Sequence, residues 1–259
     1  MSRDPIYDDL DPLYRGIWGT SLHHGLWLKG HENCQEALAN LAHLVASELP
    51  GKGTFADIGC GYGTFARALV ENGKRRILAC TLSRTQAARI ARHPSIEVLC
   101  GDWLDQHLPE NSLDAAIAIE SLSYFPSFDE ALQHTASALK PGGRLITADW
   151  FSECGDRLLL RHLATTGNLP RWRSPGSLIS SAKKAGLIPL HSRDLSREAA
   201  PTWSFFFGKA LTLPFREPGL IPRLLTETLK NPSLLWSFPL LRLAYQSGDL
   251  RYHCLTFQK

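Results

Sequence analysis

Thr54-Phe-Ala-Asp-Ile-Gly-Cys-Gly-Tyr-Gly-Thr64 decides the fold. The apolar residues up to Ile58 read as a short buried strand, Gly59, Gly61 and Gly63 as a turn, and Thr64 as the start of a helix. Glycine permits positive φ and lets a ligand approach the main chain closely. Amide N–H groups at a helix start lack intrahelical partners and are expected to face that ligand. The spacing is G-x-G-x-G with Asp57 two residues ahead. A dinucleotide fingerprint requires G-x-G-x-x-G, and a Walker loop requires a Lys-Ser/Thr pair that is absent here. Taken alone, the stretch also fits a strand–helix turn that binds nothing.

Outward from this turn, strand and helix signals alternate. Strand one covers about 53–58 and is followed by a helix to Asn72, with Gly73 as its expected cap. Strand two is Arg76–Cys80, and Ser83 caps a helix over 84–92. Strands three and four are Ile96–Leu99 and Leu113–Ile119; the latter is the apolar run of a strand buried on both faces. A helix over Phe128–Leu139 ends at Lys140-Pro-Gly-Gly143, before strand five at Arg144–Ala148. The alternation predicts an α/β fold: a Rossmann-like, mostly parallel sheet with helices on both faces and a ligand crevice at the strand C-termini. Residues 151–173 connect to a helix at 174–185 and a strand at Leu187–Arg193. A final hairpin-like strand, Leu250–Phe257, completes seven. Residues 1–50 read as a helical cap ahead of the core at 51–259, and an apolar insertion spans about 197–248.

Composition sets limits. The 259 residues are 44% hydrophobic and 20% charged, enough for one well-buried domain with additions. A net charge of +3 from scattered basic residues argues against nucleic acid. Six cysteines lack metal-type pairing and read as reduced thiols, so a cytoplasmic protein without a metal is expected. The N-terminus is polar and acidic, unlike a signal peptide, and the apolar stretch Ser233–Tyr245 is interrupted by Pro239 and Arg242, too short to span a bilayer. Peripheral membrane contact stays open, although the insertion shows no strong basic face in sequence. Monomer and homodimer are both compatible.

From the glycine turn onward the chain resembles the class I S-adenosylmethionine-dependent methyltransferases. Tyr7-Asp-Asp-Leu-Asp-Pro-Leu-Tyr14 and Ile17-Trp-Gly-Thr-Ser-Leu-His-His-Gly-Leu-Trp27 are similar to the tocopherol and glycine/sarcosine methyltransferase branch, which is related to the cyclopropane fatty acid synthases. The resemblance implies S-adenosylmethionine as cofactor, held by Asp57, Gly59, Cys60, Gly61 and Gly63. Strand two ends without the usual ribose-binding acid. Ala79-Cys80-Thr81-Leu82-Ser83-Arg84-Thr85-Gln86 instead matches a T-L-S-x-x-Q variant, which assigns Thr81, Leu82 and Gln86 to the ribose. An amide supplies both donor and acceptor. The resemblance puts Asp102 near the adenine amino group and Trp103 beside the ring, where a flat indole suits stacking. Against each assignment stands an ordinary role: a helix cap, a surface amide, a core Trp.

Glu120-Ser121-Leu122-Ser123-Tyr124 follows strand four at the crevice edge. Glu120 reads equally as a carboxylate near the sulfonium or as a cap facing water. His23 and His24 are expected over the methionine moiety, to bind its carboxylate, orient substrate or take a proton. His23 and Tyr14 are candidate cofactor contacts; Tyr7, a candidate acceptor contact, and Tyr14 read as aromatic lids, with core aromatics as the alternative. His24, Glu120 and Tyr124 are the candidate catalytic groups. Trp203 and Phe206, in the greasy insertion, are the candidate acceptor contacts, with ordinary packing as the alternative.

Together these features predict in-line methyl transfer to a small hydrophobic, aromatic or isoprenoid-like acceptor, as in natural-product pathways. Cyclopropane-synthase-like chemistry on a lipid chain and a non-catalytic S-adenosylmethionine-binding partner subunit are the alternatives.

Overall fold

The computed structural model describes residues 11–259 apart from 72, 156, 167–171 and 231–233, so Tyr7 lies outside the described residues. Seven strands form one sheet in the order β3-β2-β1-β4-β5-β7-β6. They are β1 (Lys52–Ile58), β2 (Lys74–Thr81), β3 (Ile96–Cys100), β4 (Leu113–Ile119), β5 (Leu139–Phe151), β6 (Ile188–Asp194) and β7 (Arg251–Gln258). The first five pair in parallel, and β7 runs antiparallel between β5 and β6. Strand order reverses between β1 and β4, which opens a crevice at their C-terminal ends.

Pleating sorts the strand residues between two cores. Phe55, Ile77, Ala115, Ile117 and Ile146 join one apolar cluster with Leu13, Ile17, Leu41 and Phe65. Their neighbours Ala56, Leu78, Ala116, Ala118 and Leu145 join the other with Leu132 and Leu178. The first cluster gathers α1 (Asp11–Trp18), α2 (Cys34–Ser47) and α3 (Thr64–Glu71); the second gathers α5 (Phe128–Ala138) and α7 (Pro175–Lys184). Helix starts follow their caps. Asn33 and Glu36 form a reciprocal capping box on α2, and Ser83 accepts the Gln86 N–H at the start of α4 (Arg84–Arg89). After β5 comes α6 (Leu158–Thr166), and after β6 the short α8 (Ser196–Ala199).

The insertion is a helical lid: α9 (Pro201–Arg216), α10 (Ile221–Lys230) and α11 (Leu234–Gln246). Three local expectations change. Gly73 is not in the left-handed region, so it is not the expected cap. Leu139 already pairs with Leu113, and residues 140–143 bulge from the strand rather than ending the helix. Pro239 lies inside α11: proline removes one intrahelical bond, but the buried contacts of Phe238, Leu241 and Ala244 hold the helix through it.

Candidate active site

A cavity of about 660 Å³ lies over the strand C-termini. Its floor is built by the ends of the first four strands, and its roof by α1, residues 22–24 and the lid.

The glycine turn forms one wall. Gly59 has φ +74°, and a Cβ there would lie 2.5 Å from the Ser121 Cβ, so a side chain is excluded twice over. Gly61, φ +56°, has no atom within 4 Å of its ideal Cβ, so a side chain there would fill the space the turn leaves open. Three of the turn's amides are taken within the protein. The Gly59 and Cys60 N–H groups both donate to the Cys80 carbonyl at 2.9 Å, and Gly63 donates to Cys60. At Gly61 it offers bare backbone to the cavity. Gly63 faces a separate cleft beside Arg15, Tyr62 and Arg89. Behind the turn, Asp57 is buried with Oδ2 unpartnered, and burial pushes its carboxyl up to about 7.

Beside the turn, the Thr81 hydroxyl donates to Gln86 Oε1 at 2.8 Å. That takes the acceptor of Gln86 and leaves its N–H donors at the cavity wall, which Leu82 shares. Asp102 and Trp103 line the same wall. Asp102 accepts the Leu104 N–H, and Trp103 is buried with its indole N–H donating to the Thr135 hydroxyl at 3.1 Å. The ordinary roles and the cavity-facing roles of these two residues therefore coexist.

Glu120 is the hub of the site. It holds a left-handed backbone, φ +51°, unusual outside glycine. Its Oε1 accepts the His24 backbone N–H, the His24 Nδ1–H at 2.9 Å and the Tyr252 hydroxyl at 2.9 Å. Its Oε2 accepts the Trp150 indole N–H at 2.9 Å. Burial alone would raise this carboxyl, but the His24 imidazole and its hydrogen bonds outweigh it and hold the group below the usual carboxylate range. With Nδ1–H donated to Glu120, His24 Nε2 accepts the Tyr245 hydroxyl at 3.1 Å. Tyr124 also lines the cavity, as does Tyr14, edge-on to Trp18.

His23 differs from its neighbour. A carbonyl only accepts, so the 2.8 Å contact with the His24 oxygen makes Nδ1 its protonated nitrogen. Nε2 is then the lone-pair nitrogen of a ring that lines the cavity. Burial lowers this imidazole's pKa, against the upward pull of Glu120, so the neutral ring dominates near pH 7.

The two candidate acceptor contacts separate. Trp203 lines the cavity, with its ring 5.2 Å from that of His24. Phe206 is fully buried, stacked at 4.9 Å on Trp18, and takes no part in the cavity wall. It is a packing residue. Leu213, Leu224, Phe238 and Leu241 supply the apolar roof.

Trp150 and Tyr245 escaped the sequence reading. Trp150 carries a usable signal, since it lies at the end of β5, one residue before Phe151, at the same edge as Glu120. Tyr252 sits opposite it across the antiparallel pair. Tyr245 carries none, because only the closure of α11 brings it to His24.

Residues 56–147 match the family model described as a methyltransferase domain. A probable chloroplastic tocopherol O-methyltransferase from Oryza sativa subsp. japonica is 27% identical over 98% of this chain and 76% of its own length. The 24-methylenesterol C-methyltransferase 2 of Arabidopsis thaliana is 24% identical over 77% of this chain, and the match spans 60% of that relative. Among solved structures, the [4+2]-cyclase SpnF superposes with a TM-score of 0.80 at 26% identity, covering 98% of this chain and 93% of its own.

Proposed function

We propose that this chain, built on an S-adenosylmethionine-dependent methyltransferase domain, transfers a methyl group to a hydrophobic acceptor enclosed beneath its lid. One observation carries the reading. A single cavity joins the glycine turn and the Thr81–Gln86 edge to an apolar roof, with Glu120 and His24 between them. Ser121 packs against Gly59 on one side of this junction, and His24 packs against Trp203 and Tyr245 on the other.

The residues present suit the cofactor. Open space at Gly61 admits a ligand to the backbone, and the amide donors of Gln86 suit hydroxyls. Asp57, behind the turn and outside the cavity wall, has one unpartnered oxygen and acts on the site only through its charge when ionised. When bound, S-adenosylmethionine supplies a methyl group on a sulfonium, already activated for displacement.

The chain then has to align and to exclude water. Effective-molarity arguments allow about 7–11 kcal/mol from alignment at best. Glu120 stays ionised and holds four donors, so it acts as a fixed negative charge and a scaffold rather than a base. His24 is likewise committed at both nitrogens. An acceptor that must lose a proton gives it to His23 Nε2, with Tyr124 as a second polar contact. Trp203 and the apolar roof shape the acceptor site. The tocopherol and sterol relatives act on hydrophobic molecules, which suits this lining.

A second reading has one observation in its favour. Glu120 and His24 are fully engaged, as suits a cavity that only folds a substrate for cyclisation, the activity in the name of its structural neighbour SpnF. Mass spectrometry separates the two. Incubation with S-adenosylmethionine and aromatic or isoprenoid acceptors should yield a product heavier by one CH₂. A product of unchanged mass would favour cyclisation, and no product from any hydrophobic acceptor would contradict the proposal.

A further inference from the structure

The lid shows apolar side chains on two sides. Leu213 on α9 and Phe238 and Leu241 on α11 face the cavity. A helix turns 100° per residue, so a residue two positions away lies on the opposite face. On α9 those positions hold Leu211 and Phe215, and on α11 they hold Trp236 and Leu243. All four are exposed, Phe215 at 88% and Trp236 at 67%. On α10, Leu224 lines the cavity while Leu225 and Leu229 project outward, Leu229 at 83% exposure. An ordinary surface helix sets polar residues on its outer face.

The chain's net positive charge falls on the same element. Residues 201–248 hold five basic residues, Lys209, Arg216, Arg223, Lys230 and Arg242, against Glu217 and Glu227, a net of +3. The whole chain carries 28 basic and 25 acidic residues, also +3. The remainder is therefore balanced, 23 against 23, and the lid carries the entire excess. The sequence shows no basic face because these residues are spread over three helices. Arg216, Lys230 and Arg242 each stand next in sequence to an exposed apolar residue: Phe215, Leu229 and Leu243.

We propose that the outer face of the lid docks on an anionic membrane surface, with Phe215, Leu229 and Trp236 entering the headgroup boundary and Arg216, Lys230 and Arg242 beside them meeting the lipid phosphates. Apolar anchors flanked by basic residues fit that occupant. A second copy fits poorly, since a two-fold pairing would set Arg216, Lys230 and Arg242 against the same residues of the partner. No helix among the described residues is long and apolar enough to cross a membrane, so the contact is peripheral. Docking itself does not rest on the methyl-transfer reading. Combined with it, docking sets the roof of the acceptor cavity against the phase in which a hydrophobic acceptor dissolves.

The test is vesicle flotation with phosphatidylcholine vesicles and with equimolar phosphatidylcholine–phosphatidylglycerol vesicles. Wild type should float with the anionic vesicles and not with the neutral ones, and about 1 M salt should release most of it. Phe215→Ser combined with Leu229→Ser should cut the bound fraction by about fivefold or more with melting temperature unchanged. Glu227→Lys should increase it. Absence of binding to anionic vesicles, equal binding to both compositions, or full binding by the double variant would each overturn the proposal. So would a concentration-dependent dimer that the double variant abolishes, which would assign the face to a second copy. Methyl transfer to a soluble acceptor should survive in the double variant. Its loss together with vesicle binding would count against docking as a separate property of the lid.

Discussion

The Nδ1–H of His24 meets Glu120 Oε1 at 2.9 Å, and both side chains are buried. This pair ties the segment entering from α1 to the end of β4, and the Tyr252 and Trp150 donors complete the shell around the carboxylate. Removing one partner of a buried pair strands the other and costs about 3–5 kcal/mol. Glu120→Ala should therefore lower the urea midpoint strongly. Glu120→Gly removes the same network but relaxes the left-handed backbone, so it should be about 1 kcal/mol more stable than the alanine variant. Equal midpoints would deny any strain at this position.

His23 and His24 should separate in assay. His23→Gln leaves the Glu120 network intact, so melting temperature should hold. For an acceptor that must lose a proton, kcat should fall by about 10²- to 10⁴-fold. His24→Gln should lower both melting temperature and kcat. Equal effects of the two substitutions on melting temperature would assign His23 a structural role.

Asp57, behind the glycine turn, should give cofactor binding a pH dependence. Its folded-state carboxyl, at about 7, lies above the ordinary value of 3.8. Ionising it in the free protein therefore opposes folding, and that penalty grows as pH rises from 3.8 through about 7. A cationic ligand favours the ionised form and releases the proton. Affinity for S-adenosylmethionine should rise between about pH 6 and about pH 8, and Asp57→Asn should flatten the rise. Asp149, also pushed up to about 7 by burial, is common to both proteins and cancels in the comparison. An unchanged slope in Asp57→Asn would remove Asp57 from the site.

The two lid aromatics should part company in kinetics. Trp203→Ala should raise acceptor KM with little change in cofactor affinity. Phe206→Ala should cost about 3–5 kcal/mol of stability, as full burial of a large ring requires. Acceptor KM should then stay near wild type in the folded fraction. The reverse pattern would contradict the cavity assignment.

Local signals served the strands and the glycine turn well, because burial on both faces leaves an apolar run that little else produces. Leu113–Ile119 was legible residue for residue. The T-L-S-x-x-Q text likewise pointed to Thr81, Leu82 and Gln86, which the fold brings to one wall. Hydrogen-bond partners were not legible. Nothing near Gly59 and Cys60 in sequence says that their amides turn back to Cys80 across the neighbouring strand. The division of labour between His23 and His24 depends on Tyr245, 221 residues further on. Phe205, Phe206 and Phe207 look alike in sequence, and only the helix phase of α9 decides which is core.

Calorimetric titration of the wild-type protein and of Gly61→Val with S-adenosylmethionine tests the central claim most directly. Wild type should bind one equivalent. The valine meets no protein atom within 4 Å at its Cβ and costs about 1–2 kcal/mol of left-handed backbone strain, so it should weaken binding by about tenfold or more while the fold persists in circular dichroism. Equal affinity in the two proteins, or no binding by the wild type, would contradict the account.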